Sequence, residues 1–221
     1  MYTSRSIPWR AGFALSGLLI LAGGPRHPGG TMAQMLASPE WVPSHSLLLA
    51  AFAVLLGGLL LFRREHAALP VRTRRWLRLA IVGTALQTVE MAFHLASVTD
   101  LANLTAGRAA PVLTTHLVLA VLVSPIFAAT IIGLVVAGAL DRVLASRWIA
   151  PIAVAGALAH GLAAPLVVLG APGNWRFLFP GVALFAVWLV LCALWPIRAP
   201  VAAAPDAAPS PVREPAGSAA G

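Results

Sequence analysis

Lysine is missing from this chain altogether. All fifteen basic residues of the 221 are arginine, only seven residues are acidic, and the formal net charge is +8. The lysine gap, with many alanines and prolines, reads as GC-rich coding. The positive charge does not signal nucleic acid, which needs a solvated basic surface with a register of phosphate contacts. Here the arginines stand in short clusters between long apolar runs, so no nucleic-acid partner is expected. One cysteine, Cys192, excludes an intrachain disulfide and any cysteine-based zinc or iron–sulfur centre within one chain. It lies in an apolar run and reads as a small buried or lipid-facing residue. No P-loop, dinucleotide GxGxxG, GxSxG elbow or HExxH spacing occurs.

Charge itself is scarce. Charged residues make up 10% and hydrophobic residues 59%, and the mean hydropathy is +0.87. A soluble domain carries about 25% charged residues, so the chain reads as an all-α integral membrane protein. About 20 residues of helix cross the hydrocarbon core. Six apolar stretches come near that length, at about 11–23, 46–62, 76–98, 112–140, 148–169 and 177–195. They make a six-transmembrane-helix bundle over 1–198. The segment 199–221 is an Ala/Pro-rich tail expected to be disordered in the cytoplasm. The short first stretch, preceded by Arg5 and Arg10, also fits a signal peptide, but its poor cleavage pattern favours a retained helix.

Arginine placement orients the bundle. Twelve arginines fall on the side of the two termini and only Arg26, Arg108 and Arg176 on the other. The positive-inside rule therefore puts both termini in the cytoplasm of a cell inner (plasma) membrane, as in bacterial-type polytopic proteins. Trp9, Trp41, Trp76, Trp148, Trp175 and Trp195 fall near span ends, where indoles favour the headgroup level. The outer segment 24–43 reads as a surface loop, with a lid over the bundle as the alternative.

This topology gathers five of the six histidines at the outer side. His27 lies in the loop and His45 at the mouth of the second span. Helical rise puts His94 and His116 roughly 6 Å deep and His160 roughly 14 Å deep. His66, in the Arg-rich cytoplasmic loop, reads as a solvated residue. Glu90 and His94 share one face of the third span, and Gln87 and Thr84 continue it inward. A carboxylate in a span costs at least about 2.5 kcal/mol and should face the interior with a partner. The second and fourth spans each open with a hydroxyl–His pair (Ser44-His45, Thr115-His116). That pattern suggests a pseudo-symmetric four-helix unit formed by the second to fifth spans.

Imidazole and carboxylate donors suit zinc, copper or iron. Facing histidines also suit haem b. The site residues expected are therefore His94, His116 and His160 toward a cofactor, and His45, Glu90, His94, His116 and His160 toward a metal. Glu90 would be ligand or proton acceptor in redox or metal chemistry at the outer face. Expected partners are the lipid bilayer and either a membrane redox partner or a second copy of the chain. Two other functions compete: a small proton-coupled transporter using Glu90 and the histidines, and a non-catalytic membrane subunit whose histidines only tie helices together.

Overall fold

The computed structural model describes residues 7–144, 146–171 and 175–194. The tail 199–221, Trp195 and the terminal Arg5, Arg198 and Arg213 lie outside the described residues. Among those described there is no strand. The helices are α1 (Ile7–Gly23), α2 (Met32–Leu36), α3 (Trp41–Glu65), α4 (Val71–Ala96), α5 (Leu101–Thr105), α6 (Pro111–Leu140), α7 (Ala150–Val168) and α8 (Val182–Leu194). A 3-10 stretch, Trp175–Gly181, leads into α8. Five segments are long and apolar enough to cross a membrane. The sixth, α1, has 17 residues.

Helix boundaries differ from the hydropathy reading for local reasons. α3 starts at Trp41, five residues earlier than expected, with Pro43 in its first turn. The first four N–H groups of a helix have no intrahelical partner, so proline costs little there. α4 starts at Val71, directly after Pro70, and carries Arg72, Arg74 and Arg75 before its apolar part begins. Hydropathy marks only the stretch suited to hydrocarbon, whereas the helix runs on into the polar layer. Pro180 and Gly181 end the 3-10 stretch and delay α8 to Val182.

Each long helix packs on the next in chain order, and α1 packs on α8, which closes a ring of six. This arrangement replaces the expected four-helix unit of the second to fifth spans, because α1 and α8 are equal members of the ring. Its core is aromatic: Phe52 of α3 meets Phe127 of α6 at 5.4 Å, and Phe127 meets Phe185 of α8 at 5.8 Å, both edge to face. α1 buries Trp9, Phe13 and Ile20. Outward, Val82, Val89, Leu122 and Leu158 are exposed, the apolar surface that a bilayer requires. At Gly156 a Cβ would run into the backbone of Phe185, so α7 and α8 meet closely there.

Two of the tryptophans at helix ends turn into the bundle rather than outward. Trp9 is 0% and Trp41 1% exposed, whereas Trp148 is 78% exposed. Trp9 sits among Phe13 and Phe62, and Trp41 sits among histidines.

Candidate metal centre

The segment between α1 and α3 folds back over one end of the ring. Thr31 and Gln34 cap α2 reciprocally, each side chain bonding the other residue's backbone N–H. Leu36 then packs in a small apolar cluster with Trp41 and Leu113. Arg26 pairs with Glu40 at 3.0 Å and ties the start of the segment to its end. The lid alternative thus describes this segment better than a plain surface loop, and it sets His27 over the bundle.

On α3, His45 lies one turn after Trp41 and is 0% exposed. Its Nδ1 lies 2.6 Å from the Trp41 carbonyl oxygen and 3.1 Å from Ser44 Oγ. A carbonyl only accepts, so Nδ1 carries the proton and Nε2 keeps the lone pair. Nε2 is buried without a hydrogen-bond partner. The Trp41 ring stacks on His45 at 4.0 Å, and its Nε1–H donates to the Leu95 carbonyl at 3.3 Å.

On α4, Gln87 Nε2 donates to Glu90 Oε2 at 2.7 Å. The other carboxylate oxygen, Oε1, lies 2.8 Å from His116 Nδ1 of α6, but the two are not aligned for a hydrogen bond. Two donors bound at right angles to one ion, at bonds of about 2.1 Å, stand about 3 Å apart. Glu90 is 2% and His116 6% exposed. His94, one turn after Glu90, stacks on His116 at 3.9 Å and approaches His45 at 4.2 Å. His27 completes the group, 4.8 Å from His45 and 5.9 Å from His94 between ring centroids. Desolvation beside these rings lowers the His27 pKa, opposed by its contact with the Pro28 carbonyl.

Two sets of donors emerge, Glu90–His94–His116 and His27–His45–His94, and within each the donor atoms lie within 4.8 Å of one another. His160 belongs to neither. It lies deeper, its ring 5.6 Å from Phe52 and 5.3 Å from Phe127, with Nε2 buried and unpartnered. Asp100 caps the first turn of α6 by accepting the Leu113 N–H at 2.9 Å and belongs to neither donor set. His66 is half-buried at the opposite end of the ring, its Nδ1 3.1 Å from the Phe62 carbonyl.

Sequence reasoning missed Trp41 as part of the site. The signal was its i,i+4 relation to His45, hidden because the helix was read as starting after both. The chain matches no protein-family model, no curated protein and no solved structure.

Proposed function

We propose that this is a multi-pass membrane protein that binds one divalent transition ion, of the zinc, copper or iron class, near the outer face of a cell membrane. The observation that carries the reading is the convergence of Glu90, His94 and His116 inside an apolar bundle, donor atoms within 4.8 Å. A four-coordinate ion with bonds of about 2.1 Å spaces its ligands about 3.4 Å apart, and the stacked His94 and His116 rings must turn so that both in-plane lone pairs meet the ion. Three nitrogen or oxygen ligands leave a position for water or a substrate. Glu90 serves as ligand or proton acceptor for redox or metal chemistry there.

A bare ion is favoured over haem b. Axial haem ligation needs two imidazoles held apart by the porphyrin plane, whereas His94 and His116 lie face to face at 3.9 Å. A purely structural role is disfavoured by the buried, unpartnered Nε2 of His45, since helix-tying polar groups gain only by pairing. The outward orientation rests on the arginine bias.

The test is elemental analysis, zinc and copper titration and an absorption spectrum of the detergent-purified protein, beside Glu90→Gln and His116→Ala. One tightly held ion, lost in both variants, supports the reading. A Soret band, or no stoichiometric metal under any loading condition, overturns it.

A further inference from the structure

The two donor sets share His94, and their burial is graded. His27 is exposed, His94 half-buried, and His45, Glu90 and His116 are buried. A neutral imidazole has one free lone pair, so His94 serves one ion at a time. The sets are therefore alternatives and not two halves of a dinuclear centre. They also differ in chemistry. The outer set is all imidazole and uncharged, whereas the inner set adds a carboxylate, which offsets part of a dication's charge in a low-dielectric interior.

A hydrated ion entering an apolar bundle must exchange its waters for protein donors in steps. The outer set supplies such a step. His45 is already oriented for it, because the Trp41 carbonyl holds the Nδ1 proton and leaves the buried Nε2 lone pair unpartnered. The segment bearing His27 is held in place by the Arg26–Glu40 pair and the α2 cap.

Resting on the metal-binding reading above, we propose that His27, His45 and His94 form an entry site. It captures a divalent transition ion at the surface and passes it, through ligand exchange at His94, to Glu90 and His116. His27 and His45 leave the coordination shell as Glu90 and His116 join, with His94 kept throughout, so no bond other than metal–ligand bonds is made or broken. His27 belongs to the path and not to the final site.

A residue that ligates only along the path changes loading and release by the same factor and leaves the equilibrium untouched. The experiment uses Co(II) alone as probe, with the detergent-solubilised full chain. Uptake is followed by the growth of the cobalt d–d band, release by chelation with excess EDTA, and affinity by equilibrium titration. In His27→Ala and His27→Gln, loading and release should both slow by on the order of tenfold, with stoichiometry and Kd unchanged. His27 is exposed, so neither variant threatens the core, and the two replacements check each other. Wild-type rates in both variants overturn the entry role while leaving the inner site standing. A weakened Kd with faster release makes His27 a permanent ligand and also overturns it. Two Co(II) bound at once in the wild type overturn the exchange at His94. A wild type that binds no Co(II) removes the metal-binding reading itself, an outcome distinct from the other three.

Discussion

His94 and His116, from α4 and α6, stack face to face with ring centroids 3.9 Å apart and planes 18° from parallel. The contact has two separable components, aromatic packing and nitrogen donors. A phenyl ring keeps the first and removes the second. His94→Phe should therefore leave the metal-free protein within about 1 kcal/mol of wild type. It should abolish the rise in melting temperature that added zinc produces. Thermal unfolding in detergent, with and without zinc, reads both quantities. A zinc-induced rise that survives in His94→Phe would remove His94 from the ligand set.

Glu90 makes a complementary case. Glu90→Gln keeps the side-chain shape and removes a buried charge whose insertion is costly. The metal-free variant should be as stable as wild type or more so, while zinc affinity falls by roughly 100-fold. Competition titration against a chelator of known affinity measures the loss. A destabilised metal-free variant with unchanged zinc affinity would assign Glu90 to helix tying.

Asp100 acts at a distance, by capping the helix that carries His116. Asp100→Ala leaves the buried Leu113 N–H unpaired and should destabilise the protein by about 1 kcal/mol. Asp100→Asn keeps an acceptor and should lose less. Melting temperatures of the two variants check the order.

At the other end of the bundle, Asp141 accepts hydrogen bonds from Arg72 and from Thr73, the latter at 2.6 Å. Desolvation pushes its pKa up, but the bonds to Arg72 and Thr73 outweigh this and hold it below the ordinary 3.8. The folded state thus binds the proton less readily than the unfolded state. The resulting stabilisation is complete above pH 3.8 and is lost as pH falls through the lower, folded-state value. Asp141→Asn should lower the melting temperature at pH 7, and the difference should shrink as the pH drops below 3.8. A difference that stays constant down to that range would show that the carboxylate charge is not what matters.

Two glycines separate close packing from open surface. At Gly156 a Cβ would meet the Phe185 backbone, whereas at Gly57 it would find nothing within 4 Å. Gly156→Ala should cost about 1–3 kcal/mol by forcing α7 off α8. Gly57→Ala should be neutral or stabilising by up to about 1 kcal/mol. Equal effects in one unfolding series would argue against this packing.

Much of the molecule was legible in residue order. Hydropathy located the helices from 41 to 194 because a bilayer, like a core, demands sustained apolar length. The cost of a buried carboxylate singled out Glu90, and helical periodicity joined it to His94 on one face. Burial of both Glu90 and His116 and their 2.8 Å approach agree with that expectation. His27, by contrast, had no period to place it. Its position depends on a segment held by a capping box, an ion pair and the packing of Leu36 on Trp41 and Leu113, the last of which joins residues far apart in the chain. His160 shows the opposite failure. Its predicted depth was a rise along one helix axis, but its neighbours Phe52 and Phe127 come from two other helices. Period and hydropathy act within a single segment, so the sequence alone determined which stretches are helical and which carry costly polar groups. Which of those groups meet was decided by the rotation of each helix about its axis and by the closure of the ring through α1 and α8, because those follow from side-chain packing between segments that the sequence keeps apart.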